Sequence, residues 1–562
     1  MPGAQNLIET RRDKAAGRPH VLIVGATGVF GSRLARLLAR RGLYRVSFGG
    51  RNESQAVALA AKLRDIDVQG EFAFFQMDRD TITAARLAEC RADIVVDCTG
   101  RSELSETALV EAAIGARCHY LDLSQSRQFV GNIGRFDAAA RAAGISVTAG
   151  ASAAPSLTHA VVEALTGAWL AIDSIDVAIL PGNRSSRGRL AGEAALGWAG
   201  KPLDMFTEGQ WQRRRGWTEN RRVTADGLGQ RSAALANLPD LDLLPRRFQP
   251  RLRAACNVGL ELPLLHRMTG LAGHLVRLHL LPSARWLAAP GRLLAGLFQG
   301  LGSKTGGLVV DVAGQDARGE VRLVRWTLIA TKGDWPYVRV LTAAALIEAI
   351  TSGRGPRAGA ATAAGQVDFA AIRPWLDGLS IEVRQVAGRA EKPLLRRAMG
   401  SGFDELPEVT RYVHRGRPAL LATGEAVVAG AANLAGSLLA RVIGLPGALG
   451  TVPLHVAVET RDGRELWARS FGDRVVRSEI RLAGEGLIEE RLGWLRLRLV
   501  PMAVEHGVDF RVASVHVGWL PVPGSQIVIG ERADAAGRHV FLAEIGFPGI
   551  GRLASWRGVL TV

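Results

Sequence analysis

Three glycines at three-residue intervals, Gly25, Gly28 and Gly31, follow the apolar run VLIV and open the segment SRLARLLARRG. These residue types in this spacing suit the holding of a pyrophosphate. Glycine permits a tight turn at positive φ and lets the backbone approach a ligand closely. The free N–H groups and positive dipole end of a following helix attract the phosphate charge. In that reading Thr27, Val29 and Phe30 contribute the backbone between the glycines. The reading needs residues 21–24 to be a buried strand and the segment beginning near Val29 to be a helix, which Leu34, Leu37 and Leu38 at helical spacing support. In a chain with 66 glycines the triplet alone is weak; its place between a strand and a helix makes it a nucleotide-binding turn.

Further strand ends carry groups able to act on such a ligand. The segment YRVSFGG runs into Gly49, Gly50, Arg51 and Asn52, which offer no carboxylate for ribose hydroxyls and one guanidinium suited to a 2′-phosphate. NADP(H) is therefore expected over NAD. Asp78, after a third strand, reaches the adenine edge or caps the next helix. Thr99 and Gly100, after ADIVVDCTG, should line the nicotinamide side. Hydride transfer to C=O, C=N or activated C=C leaves negative charge on the acceptor, so a donor is required. Arg101, Ser124 and Asn183 are the candidates, with Ser126 beside them, and none forms a recognisable triad. The four cysteines lack CxxC spacing and the histidines are not clustered, so no metal site is expected and a reducing cytoplasm is.

The elements that must position these groups alternate strand and helix through about residue 158, which predicts an α/β, Rossmann-like, doubly wound parallel sheet over 19–158. GATGVFG with GGRN, VVDCTG, HYLDLS and SVTAGASAAPSLT, in that order, resemble the NADP-binding domain of saccharopine dehydrogenase-like oxidoreductases. The likeness continues more faintly in PGNRSSRG, GKPLDMF and residues 325–353. Where that family has Gly-Pro-Phe after the fourth strand, this chain has Gly100, Arg101 and Ser102, so the family's substrate does not carry over. FDELPEVTRYVH, ELWARSFG, GLIEERLG and GFPGIGRLASWRG resemble the domain of unknown function 4166, a module found after such reductase domains.

Four segments follow: a disordered N-terminus over 1–18, the nucleotide domain, an α+β substrate or dimerisation domain over 159–390, and a β-rich domain over 395–562. The Gly/Ala-rich residues 351–365 read as a flexible linker or loop. The C-terminal strands predict a mainly antiparallel sheet curved around a helix, whose apolar inner face could hold a lipid-like ligand. Residues 271–301 alternate leucines with Arg and His, the pattern of helices packed on a sheet or lying on a membrane surface. The formal charge is +17, but the arginines are scattered without interleaved aromatics, which argues against nucleic acid. No apolar run reaches the ~18–20 residues of a bilayer span and no signal peptide is readable. The expectation is a cytoplasmic NADP(H)-dependent oxidoreductase acting on a small molecule, lipid-like ones included, with peripheral membrane contact and a homodimer open. The alternative is a catalytically silent NADP-binding protein whose C-terminal domain captures an apolar ligand or partner.

Overall fold

The computed structural model describes residues 17–100, 106–186, 197–287, 298, 300–388, 392–415, 419–461 and 463–561. The N-terminal strands are β1 (His20–Val24), β2 (Arg45–Gly50), β3 (Phe72–Gln76), β4 (Ile94–Asp97), β5 (His119–Asp122) and β6 (Ser146–Ala149). Residues 21–24 and 94–96 are buried on both faces, as continuous apolar runs must be in a sheet with helices on each side. Helix α1 (Gly31–Arg41) follows β1 and helix α2 (Glu53–Arg64) follows β2. Leu34, Leu37 and Leu38 turn α1 toward the sheet.

The second domain contributes β7 (Ala171–Leu180), β8 (Pro202–Thr207), β9 (Gln210–Arg215), β10 (Asn220–Ala225), β11 (Gly229–Leu235), β12 (Arg253–Leu260), β13 (Gly306–Gln315), β14 (Val321–Ala330), β15 (Gly359–Thr362) and β16 (Ile381–Gly388). Seven of them form a mixed sheet in the order β10-β11-β12-β7-β13-β14-β16, and β8 with β9 forms a separate hairpin. Strand β15 instead crosses back and adds a seventh parallel strand to the first sheet, whose order is β15-β6-β5-β4-β1-β2-β3. The reading of 351–365 as a flexible linker is thereby corrected. Its small residues answer to crowding, because a Cβ on Gly359 would lie 2.5 Å from Asp137 Oδ1, which itself accepts a bond from the Ala360 N–H. The strand order reverses between β1 and β4, which opens a crevice at their carboxyl ends.

The C-terminal strands are β17 (Ala419–Ala429), β18 (Gly450–Arg461), β19 (Arg464–Phe471), β20 (Arg474–Gly484), β21 (Leu487–Leu492), β22 (Leu495–Val504), β23 (Gly507–Val517), β24 (Leu520–Pro521), β25 (Gln526–Ala533), β26 (His539–Phe547) and β27 (Gly551–Thr561). All pair antiparallel, and the pairing of β22 with β23 closes ten of them into a barrel that leaves only the short β24 outside. The helix over Leu434–Ile443 does not lie inside the curve, as expected above. It caps one barrel end with Gly436, Ala440 and Ile443 buried and Leu434, Leu438 and Val442 exposed. The barrel docks on the second domain through Glu208 in the β8–β9 turn, which takes bonds from Arg214, Gln212 and Arg477. Leu252 packs beside it against Ala419, Ala457 and Ala468.

Candidate functional site

The turn after β1 is built as its glycines require. Gly25 has φ +78°, and its N–H donates to Gly49 O at 2.9 Å, which ties the turn to β2. A Cβ on Gly31 would press on Gly25 O and lie 2.7 Å from Ala26 Cα, so this glycine serves close packing of α1 on the turn. Gly28 differs: a Cβ there would meet only Gly25 O, at 3.1 Å, and otherwise open space. No side chain caps α1 and its first turn holds no acidic residue. An uncapped helix start behind an open glycine cradle fits a pyrophosphate.

Across the crevice stands β4. Thr99 donates from its N–H and its hydroxyl to Asp97 Oδ1, at 2.9 and 2.7 Å, while Arg79 Nε donates to Asp97 Oδ2 at 2.6 Å. A Cβ on Gly25 would come within 3.1 Å of Thr99 N, so the expected residues of β1 and β4 do flank one crevice. Beside Asp97, β5 places Asp122, whose Oδ1 accepts the N–H groups of Ser124 and Gly150, both at 2.8 Å. Asp122 Oδ2 and the Tyr120 hydroxyl are buried without a hydrogen bond of normal geometry. Burial pushes the Asp122 carboxyl up to about 7, and the charge of Asp97 adds to the rise.

A residue from the second domain completes the crevice. Arg339 follows β14 on a short helical turn (Trp335–Arg339), and its guanidinium lies 4.3 Å from the centre of the Phe30 ring, at the start of α1. Its Nε donates to Ser152 Oγ at 3.3 Å and one Nη to Leu123 O at 3.1 Å. No carboxylate pairs with it among the described residues, and burial lowers its pKa to about 10. Arg339 falls within residues 325–353, where one arginine among many carries no local signal in the sequence.

The other sequence-predicted residues are placed as follows. Arg51 is exposed at the end of β2. Asn52 caps α2, its Oδ1 accepting the Gln55 N–H at 3.1 Å. Asp78 turns its Oδ1 to the Asp80 N–H, and the next helix is capped by Thr83 instead. Ser124 is buried and its Oγ accepts the Ser126 N–H at 3.1 Å. Asn183 donates from Nδ2 to Phe298 O and Leu301 O, within the second domain rather than at the crevice residues above. Arg101 and Ser102 lie outside the described residues.

An open glycine turn leading into a helix at the switch point of a parallel sheet covered by helices defines the class of Rossmann-type dinucleotide-binding domains. Residues 21–161 match the saccharopine dehydrogenase NADP binding domain, and residues 406–560 match a domain of unknown function, DUF4166. The chain thus joins an NADP-binding oxidoreductase domain of saccharopine dehydrogenase type to that second module, and its cofactor is NADP(H). No curated protein matches the sequence. Among solved structures, saccharopine dehydrogenase (L-Glu forming) from Saccharomyces cerevisiae is 12% identical, covers 66% of this chain and 100% of its own, and has a TM-score of 0.46. A short-chain dehydrogenase from Sphingobium yanoikuyae in complex with NADPH is 21% identical over 23% of this chain and 69% of its own, TM-score 0.19. FolM alternative dihydrofolate reductase 1 from Brucella suis in complex with NADP is 15% identical over 23% and 73%, TM-score 0.20. No helix among the described residues is long and apolar enough to cross a membrane.

Proposed function

We propose that the crevice is the active site of an NADP(H)-dependent oxidoreductase that moves hydride between the cofactor and a carbonyl, imine or enoyl carbon of a small molecule, lipid-like ones included. The bound nicotinamide supplies the hydride chemistry. The backbone from Gly25 to Gly31 holds the pyrophosphate, Arg51 takes the 2′-phosphate, and Thr99 and Gly100 border the nicotinamide side. The observation that carries the reading is Arg339. A half-buried guanidinium with no carboxylate partner among the described residues, fixed by Ser152 and Leu123 O beside the start of α1, is a cation kept for an anion that binds there. It offers its charge to the cofactor phosphates or to the oxygen or nitrogen that becomes anionic on reduction. Ser124 Oγ already accepts the Ser126 N–H, so its own hydroxyl proton can be given to a substrate.

Purified protein mixed with NADPH and a panel of aldehydes, imines and enoyl thioesters tests this through the nicotinamide absorbance. Turnover should appear with one class, and Arg339→Met should lower kcat/KM by about a hundredfold. Tight NADPH binding with no oxidation across the panel would favour the catalytically silent protein.

A further inference from the structure

The two ends of the C-terminal barrel differ in chemistry. Antiparallel pairing puts the turns after β18, β20, β22 and β25 at one end. Those turns carry Arg464, Glu485, Glu505, His506, Asp534 and Arg538, the ordinary polar tips of a solvated barrel. At the opposite end lie the residues after β17, β19, β21, β23 and β26. There Leu434 is 85% exposed, Leu438 69%, Val442 69%, Trp494 66% and Trp519 83%, with Leu520 beside Trp519.

These residues form one surface. A Cβ on Gly493 would lie 2.5 Å from Ile443 O, so the Trp494 turn abuts the C-terminus of the capping helix. The Gly518 N–H donates to Trp494 O, and Arg496 donates to Gly518 O, both at 2.8 Å, which joins the two tryptophan tips. At the other end of the helix Asn433 Nδ2 donates to Ile550 O. Residues 430–449, 493–494, 518–525 and 548–550 contain no Asp or Glu, and Arg441, Arg474, Arg496 and Arg552 surround them against the single Asp473.

We propose that this barrel end docks the protein on an anionic lipid bilayer. Leucines on one side of a short helix and tryptophans at two turn tips are the residues that settle at the headgroup and acyl boundary. The arginine rim meets negative headgroups, whereas it would repel the same face of a second copy. The helix over residues 263–277 is the competing site, with Leu264, Met268 and Leu271 exposed near Arg267 and Arg277.

Sedimentation of the full chain with vesicles decides between them. Wild type should pellet with equal parts phosphatidylglycerol and phosphatidylcholine and much less with phosphatidylcholine alone. Changing Leu438, Trp494 and Trp519 together to Ser should weaken binding at least about tenfold, and Arg441→Glu by about tenfold, since each basic residue near such a surface contributes about a factor of five. Far-ultraviolet circular dichroism and the thermal unfolding midpoint should match wild type in both, which certifies the fold of the barrel. The pair Leu264→Ser and Leu271→Ser should bind vesicles as wild type does. The proposal is overturned if wild type ignores the vesicles, if the triple change has no effect, if the Leu264 and Leu271 pair is the one that loses binding, or if the triple change converts a dimer to a monomer.

Discussion

The crevice of the N-terminal sheet and the interior of the C-terminal barrel both bury charged groups, and both hold paired ones, Arg79 with Asp97 in the crevice and His414 with Glu531 in the barrel, but the crevice also holds charged groups with no opposite charge beside them among the described residues. In the barrel the buried carboxylates Glu465, Glu490 and Glu531 each have a side-chain partner. His414 Nε2 lies 2.7 Å from Glu531, Arg469 donates to Ser478 Oγ at 3.0 Å and to Glu490 at 3.4 Å, and Trp467 Nε1 donates to Glu465 at 3.0 Å. Among the described residues of the crevice Arg339 has no carboxylate partner, and Asp122 has backbone N–H groups but no cation partner. Burial acts on both carboxylates and would raise both. At Glu531 the charge and hydrogen bond of His414 outweigh it and hold the carboxyl at about 2; at Asp122 nothing does and the value reaches about 7. Charges satisfied within the chain stabilise a fold, and charges left unsatisfied need something from outside it. That contrast supports the crevice as the proposed ligand site. The barrel interior carries Glu465, Glu490 and Glu531 among its apolar side chains, so its inner face is more polar than strand alternation suggested.

The largest way to break this contrast is Glu531→Gln. Without its counter-charge His414 must give up a proton or stay buried and unpaired, so the barrel should lose about 3–5 kcal/mol. Trp467, whose ring centre is 5.4 Å from that of His414, reports the unfolding by fluorescence. A loss within error of zero would mean the pair is not structural. The wild-type pair also sets a pH window: a carboxyl lowered to about 2 from the usual 4.5 contributes stability that is present above 4.5 and lost as pH falls through 2.

Asp122 has the opposite sign. Raised to about 7 from 3.8, it contributes stability fully present below 3.8 and lost as pH rises through 7. Asp122→Asn should flatten that decline of the N-terminal domain by up to about 4 kcal/mol, read as thermal unfolding at successive pH values. An unchanged slope would assign the pH dependence elsewhere. The smallest effect concerns Arg51, exposed at the rim. Arg51→Asp should shift preference from NADPH toward NADH by about ten- to a hundredfold, and an unaltered ratio of affinities would remove Arg51 from the ribose site.

What was legible in the sequence was local. Gly25, Gly28 and Gly31 lie within one turn, and the strands on either side announce themselves as apolar runs, so sheet and turn could be read together. Arg339 could not, because its partners Ser152 and Leu123 are 187 and 216 positions away. Strand β15 was hidden for a related reason: small residues fit a crowded edge strand as well as they fit a linker. Alternation in the C-terminal strands gave antiparallel pairing, but closure depends on β22 meeting β23, and the ionic interior on Glu465, Glu490 and Glu531 converging from separate strands. The partners of Asn183 were equally illegible, since its amide donates to Phe298 O and Leu301 O, 115 and 118 positions away.

Titration of NADPH into wild type and Gly28→Val addresses the nucleotide turn most directly. An added Cβ at residue 28 meets no atom within 4 Å except Gly25 O, at 3.1 Å, so the variant should remain folded, as its thermal unfolding checks. It should nevertheless bind NADPH at least about a hundredfold more weakly, a loss of about 3 kcal/mol. Undiminished NADPH binding by a folded Gly28→Val protein would contradict the account.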